Sequence, residues 1–430
     1  MTLTTTTRRS FLKGVTATAS TLLAAKTLFP SGAFAQGAGP EVSGTRLGYI
    51  ALTDSAPLII AKEKGLFDKY GLPDMAVEKQ ASWGATRDNM ALGTANGGID
   101  GAHILRPKVH LYSSGSVMQN GQPLPMYTLL NLNEDCQGLS VAQEYAETGV
   151  GIDSSPLREA FAAKRATGGT PSVAMTFPGG THDLWIRYWL AAGGITPNVD
   201  VDVIVVPPPQ MVANMKVGTM DAFCVGEPWN EQLVNQGIGF TAATTGELWS
   251  RHPEKVLGMR ADWVDANPLA TKAIMMAVME AQQWCDSMDN KQEMAEIIGR
   301  RQWYNVPVAD IIGRIKGDIN YGNGRTETGT ELYMKFWGEK GETSYPWKSL
   351  DTWFMTENIR WGYLPASTDV KALVDQTNRS DLWLEAATEL GLSDLPSGDS
   401  RGVETFFDGK IFDPADPQAY LDSLAIKTMA

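Results

Sequence analysis

The sequence predicts an α/β protein of two lobes, each a mainly parallel sheet flanked by helices. Three observations carry this. Strand-like and helix-like segments alternate from residue 44 to about residue 225, the pattern left by parallel strands joined through helical crossovers. The alternation starts afresh at "SVAMTF", residues 172–177. Finally, "NMALGTANGGIDGAHI" (89–104) and "NMKVGTMDAFCV" (214–225) echo each other, each running from a helix through Gly-Thr to an Asp that opens a strand. Each echo reads as one helix–strand unit of its own sheet, although Gly-x-Asp-Ala turns are common enough to recur by chance.

The elements follow in order. "TRLGYIAL" is a strand, "APLIIAKEKGLFDKYG" an amphipathic helix ended by Gly65, "MAVEKQ" a strand and "TRDNMALG" a helix. "GIDGAHI" opens another strand and "PMYTLLNLN" is a strong one. After "SVAMTF" come the helix "DLWIRYWLAA", the strand "VDVIVV", the helix "PQMVANMKVG" and the strand "DAFCV". From there the character changes. "NPLATKAIMMAVMEAQQWCDSM" (267–288) is one long helix, and "TFFDGKIFDPADPQAYLDSL" (405–424) is loop-rich with a single helix. The expected division is an export signal (1–35), a first part of lobe I (44–135), lobe II (136–245), a helical second part of lobe I (246–370) and a C-terminal extension (371–430). No low-complexity linker separates the lobes, so the chain is expected to cross between them and return.

Residues 1–35 read as a cleavable export signal. "TRRSFLK" pairs Arg8 with Arg9 ahead of Phe-Leu, an apolar run covers 15–29, and "AFA" precedes Gln36. The arginine pair points to the twin-arginine export machinery as a partner; an uncleaved basic anchor is the alternative. No cysteine near Gln36 offers a lipid-anchor site. No later run of 18 apolar residues occurs, so a soluble periplasmic protein is expected. The signal holds Arg8, Arg9, Lys13 and Lys26 and no acidic residue, so its removal takes the formal net charge from −13 to −17. Such an acidic chain is a poor partner for nucleic acid or anionic membrane surfaces. An anion would need a local positive pocket set against this field.

Enzyme signatures are absent: no G-x-S-x-G, no G-x-x-x-x-G-K-[ST], no H-E-x-x-H. "GTANGG" (93–98) follows a helix rather than a strand, which argues against a dinucleotide loop. Cys136, Cys224 and Cys285 fit no zinc spacing and read as buried free thiols. The four histidines are spread along the chain, so no histidine metal cluster, and no cofactor, is expected. What remains are donors where strands end, the place at which open α/β sheets bind ligands. Trp83 and Gly84 follow "MAVEKQ", with Thr86 opening a helix; Gln137 follows "LLNLN"; Thr181 and His182 follow "SVAMTF"; Gly226 follows "DAFCV". Two glycines ahead of Thr181 and His182 place a helix start there, a ready site for a small anion. Each residue also has a plain reading: Trp83 as packing, Gln137 as a solvated amide, Gly226 as a turn before Pro228, Lys255 as a surface lysine, and Thr181 or Asp183 as an ordinary N-cap.

Six segments then stand out: "IALTDSAPLIIAKEKGLFDKYG", "KQASWGATRDN", "MTFPGGTHDLWIRYWLAAGG", "FCVGEPW", "ENIRWGYLPAST" and "TFFDGKIFDP". They resemble the nitrate- and bicarbonate-binding subunits of bacterial ABC importers, from about residue 44 to the C-terminus. The resemblance implies a two-lobed periplasmic binding fold of the type II, C-clamp kind, with the ligand between the lobes. Its partners would be a membrane permease and a cytoplasmic ATPase. It implies nitrate contacts from Trp83 in "ASWG", Gln137 in "CQG", His182 in "GGTHD", Gly226 in "CVGEPW" and Lys255 in "HPEK". The "CQG" match is the shortest. The better-known cyanobacterial members carry a lipid anchor, from which this chain departs.

Nitrate stays charged, is planar, and offers three acceptor oxygens and no donor. Its pocket is expected to hold donors and one cation, Lys255, and no free carboxylate, since a buried anion without a cation costs several kcal/mol. The bicarbonate-binding relatives carry an acidic residue near the Lys255 position and bind with a metal ion. Glu254 is adjacent here, so bicarbonate stays as the alternative ligand, and a nitrate sensor as the alternative role.

Overall fold

The computed structural model describes residues 39–135 and 137–428; the expected export signal and Cys136 lie outside the described residues. Ten strands build two sheets: β1 (Arg46–Tyr49), β2 (Ala76–Lys79), β3 (Gly101–Leu105), β4 (Met126–Asn131), β5 (Gln137–Ala142), β6 (Ser172–Met175), β7 (Asp202–Val205), β8 (Ala222–Gly226), β9 (Gly239–Thr244) and β10 (Lys255–Arg260). Lobe I has the order β2-β1-β3-β10-β4 and lobe II the order β7-β6-β8-β5-β9. The echo in the sequence is topological, because β3 and β8 hold equivalent places.

In each sheet three neighbouring strands are parallel: β2, β1 and β3 in lobe I, β7, β6 and β8 in lobe II. The fourth, β10 or β5, is antiparallel to both its neighbours. In both cases this is the strand that enters directly from the other lobe, without the helical crossover that parallel pairing needs. The chain leaves lobe I between β4 and β5 and returns between β9 and β10. The two crossing segments are tied together. Asp135 donates its N–H to the His252 carbonyl at 2.9 Å, and its carboxylate accepts the His252 N–H at 2.9 Å.

Lobe I is built around the long helix Pro268–Asp286, whose proline occupies the first turn, where its missing N–H is harmless. It buries residues on most of its circumference because it lies between the helix Ala56–Glu63 and the helix Ser380–Glu389. Lobe II is built around the helix Thr181–Ala192, buried from Thr181 to Leu190. Its Trp185 stacks on Trp353 at 5.2 Å, and Trp353 meets Trp249 at 4.9 Å. Such pairs add about 0.5–1.5 kcal/mol each beyond area burial. Trp353 comes from the helix Lys348–Arg360, whose Asp351 takes a 2.6 Å bond from Arg106 of lobe I. One C-terminal helix thus fills the aromatic core of lobe II while ion-paired to lobe I. Cys224 and Cys285 are buried free thiols. Among the described residues no helix is long and apolar enough to cross a membrane.

Candidate functional site

Strand ends of both sheets meet at Gly226. It closes β8 and pairs directly with Gln137, the first residue of β5. Its face looks into lobe I: a Cβ there would stand 3.3 Å from Asp54 Oδ2, 3.4 Å from Leu52 Cδ2 and 3.8 Å from His182 Nε2. Asp54 sits in the short turn Thr53–Ser55 after β1. It accepts from Lys255 Nζ at 2.7 Å and meets His103 Nε2 at 2.5 Å. Lys255 opens β10, with Glu254 Oε2 at 3.4 Å. The His103 ring lies 5.5 Å from that of Trp83. Trp83, Gln137, His182, Gly226 and Lys255 therefore belong to one buried cluster, linked through Asp54 and His103.

The local setting departs from expectation at several points. Trp83 is the first residue of the helix Trp83–Leu92, capped by Ser82, whose hydroxyl accepts the Ala85 N–H at 3.1 Å. That capping bond starts the helix three residues ahead of Thr86. Gln137 and Lys255 begin strands rather than lying in loops. Thr86 donates its hydroxyl to the Ser82 carbonyl at 3.0 Å, within its own turn. A Cβ on Gly84 would stand 3.6 Å from Ser82 Oγ and 3.8 Å from the Phe177 ring, and, its neighbour Trp83 aside, no member of the cluster lies within 4 Å of it. The largest correction concerns Lys255. It is fully buried as expected of a binding cation, but it is not the sole charge in the pocket. Asp54 and Glu254 are both within ion-pair distance, so the carboxylate-free pocket is not what the chain builds. The reason is solvation: an ammonium removed from water without a counter-charge costs several kcal/mol, and two carboxylates offset that cost. Asp54 and His103 are the members of this cluster that motif reading missed. Asp54 stands just beyond the carboxyl end of β1, where the strand-end rule applies equally. His103 lies mid-strand, where that rule gives no signal.

Among the described residues, Trp83 Nε1, Gln137 Nε2 and Oε1, His182 Nε2, Thr53 Oγ1 and Thr181 Oγ1 are buried without a hydrogen-bond partner. Each such group costs about 1–3 kcal/mol. They lie on members of the cluster or on their chain neighbours, and all but Gln137 Oε1 can donate, a set suited to a polar guest that presents acceptors. The helix Thr181–Ala192 adds the positive end of its dipole. Its N-cap is Gly180, which has no side chain to satisfy the first N–H groups. Gly179, at φ 69°, makes the preceding turn, and its N–H donates to Asp183 Oδ2 at 2.7 Å.

The charges are coupled. Burial pulls the Asp54 carboxyl upward, but Lys255 and His103 outweigh it and hold it well below the usual carboxylate range. Burial pushes the His103 imidazole down against the pull of Asp54. His182 is pushed down further, first by burial and then by Lys255, with Asp54 opposing. Its Nδ1 is 2.5 Å from Thr176 Oγ1, which leaves Nε2 aimed at Gly226. His252 receives the Trp185 indole N–H on Nε2 at 2.5 Å, so its proton sits on Nδ1, 3.5 Å from Glu254. Among the described residues no group of three or more His, Cys, Asp or Glu is placed to hold a metal ion.

A profile of the NMT1-like family matches residues 38–299. The nitrate/nitrite binding protein NrtA of Synechocystis sp. is 61% identical over 393 residues, covering 91% of this chain and 86% of its own length. The bicarbonate-binding protein CmpA of Synechococcus elongatus is 44% identical over 396 residues, covering 90% and 88% respectively. The crystal structure of the periplasmic nitrate-binding protein NrtA from Synechocystis superposes with a TM-score of 0.87 at 60% identity, covering 90% of this chain and all of that one.

Proposed function

This chain belongs to the NMT1-like family as a nitrate-binding protein of an ABC importer, and on that premise we propose that Trp83, Gln137, His182, Gly226 and Lys255 hold the anion. The observation that carries the assignment of the site is the group of unpartnered buried donors beside Gly226. Nitrate presents only acceptors, so it satisfies Trp83 Nε1, Gln137 Nε2 and the His182 Nε2 proton together. Bicarbonate carries an acidic O–H and needs an acceptor; Asp54 and Glu254 are already engaged by Lys255, which leaves it the amide oxygen of Gln137, a weaker acceptor than a carboxylate. Nitrite fits the same donors with one oxygen fewer.

The protein works in the periplasm, exported by the twin-arginine route, and hands nitrate to a membrane permease driven by a cytoplasmic ATPase. Capture closes the two lobes over the anion, with the Thr53 N–H donating to the Glu227 carbonyl at 2.7 Å and the Trp229 indole to the Ala51 carbonyl at 3.1 Å. Both bonds join lobe I to lobe II, so closure and binding share one interface.

Isothermal titration of the metal-free protein is expected to give micromolar nitrate affinity, about 8 kcal/mol, with nitrite close behind and bicarbonate at least about 100-fold weaker. Bicarbonate binding tighter than nitrate overturns the reading. Gly226→Val is expected to weaken nitrate by at least about tenfold while the protein still folds, because its branched side chain would reach past the 3.3 Å contact to Asp54 into the guest's space. Equal affinity for the variant removes Gly226 from the site.

A further inference from the structure

The turn 177–180 of lobe II carries Phe177 and Pro178 and leads into Thr181 and His182. It is gripped by lobe I. The Lys108 ammonium lies 4.4 Å from the centre of the Phe177 ring, and the Arg87 guanidinium lies 5.6 Å from it. Lys108 also donates to the Pro178 carbonyl. Arg87 is on the helix Trp83–Leu92 and Lys108 on the helix Arg106–Ser113. The glycines of the turn permit this approach: a Cβ on Gly180 would stand 2.7 Å from Leu105 Cδ1 and 3.5 Å from Lys108 Cε.

We propose that Lys108 and Phe177 form a latch between the lobes, made on closure beside the anion site, that slows the release of nitrate. Lys108 acts as a positioning residue: it holds the turn that sets the start of the His182 helix. The bond type suits a reversible contact. Its hydrogen bond goes to a neutral carbonyl and its second partner is a ring face, interactions strong when dry and weak once water enters. Burial pushes the Lys108 ammonium well below its ordinary range, with Asp183 opposing and Arg87 adding to the shift. Water that reaches this buried cation when the lobes part would weaken both of its contacts.

The latch rests on the nitrate reading, and wild-type protein serves as the reference for both. Stopped-flow and calorimetric nitrate binding are compared for wild type, Lys108→Met and Phe177→Leu. The methionine variant keeps an apolar stem and loses the ammonium. It is expected to bind about tenfold more weakly, with the change in the release rate and an association rate near that of wild type. Phe177→Leu is expected to shift the same rate by a smaller factor. Melting temperatures without nitrate should match wild type, while the nitrate-induced rise shrinks. Unchanged release in Lys108→Met overturns the latch alone. Equal melting losses with and without nitrate overturn it in favour of a structural prop. Wild-type protein that gives no nitrate signal overturns both the latch and the reading it rests on.

Discussion

Lys255→Ala is expected to leave no measurable nitrate binding, a loss of about 1,000-fold or more, and to lower the melting temperature by ~5 °C. The two losses have one origin. Lys255 Nζ bonds Asp54 Oδ2 at 2.7 Å and reaches Glu254 Oε2 at 3.4 Å, all three side chains being fully buried. Truncation leaves two carboxylates facing each other across the space the ammonium filled. Breaking a buried pair from one side costs about 3–5 kcal/mol. An effect on stability follows from the pairing, whereas a solitary binding cation could be removed with the fold intact. The double variant Lys255→Met, Asp54→Asn separates the two effects: stability largely returns because one buried charge is gone, and nitrate binding does not. Acid titration offers a check with a defined sign. Asp54 is held below its unfolded value of about 3.9. Its contribution to stability is therefore fully present above that value and is lost as pH falls from there toward the folded value. In Lys255→Ala the depression is smaller, so the stability gap between variant and wild type is widest near neutral pH and narrows in acid. A nitrate titration of Lys255→Ala that overlays wild type takes the lysine out of the site.

Local pattern made much of the fold legible. Strands that alternate with helices, β1 to β4 and β6 to β8, are bounded by turn residues, and each falls within or beside its expected segment. The strands β5, β9 and β10 were not legible: β5 and β10 enter directly from the other lobe, without the helical crossover that frames the parallel strands, and β9, "GFTAAT", holds a single large apolar residue. The same strands carry Gln137 and Lys255, so these two candidates rest on motifs rather than on element assignment. Asp54 shows the limit of motifs. Nothing in "LTDSAPL" says that its carboxylate will face a lysine 201 residues away; that juxtaposition belongs to sheet order, since β10 lies between β3 and β4 in lobe I.

The pairing of Lys255 reshapes the electrostatics of capture and yields a second large effect. With one ammonium facing two carboxylates, adding nitrate requires positive charge from elsewhere. Two sources are on hand: the N-terminus of the helix Thr181–Ala192 and a proton on His182 Nε2. Burial and Lys255 push the free imidazole well below 6.5, so at neutral pH it is expected to bind nitrate by taking up a proton. The groups that set this are Lys255, His252 and His103, which oppose protonation, and Asp54, which favours it. A bound anion reverses the balance and raises the imidazole. Nitrate affinity is then highest below the free value and falls as pH rises toward the bound value, by as much as about tenfold per pH unit in that window. Above the bound value it levels off at the affinity supplied by neutral donors. Titrations from about pH 5 to 9, repeated in buffers of different ionisation enthalpy, are expected to show uptake approaching one proton per nitrate at neutral pH. His182→Gln keeps a donor but cannot carry the proton, so its profile should be flat and its affinity at acidic pH about 10- to 100-fold below wild type. A wild-type affinity independent of pH, with no buffer dependence in the heat, would mean that the helix terminus and the neutral donors of Trp83 and Gln137 hold nitrate unaided.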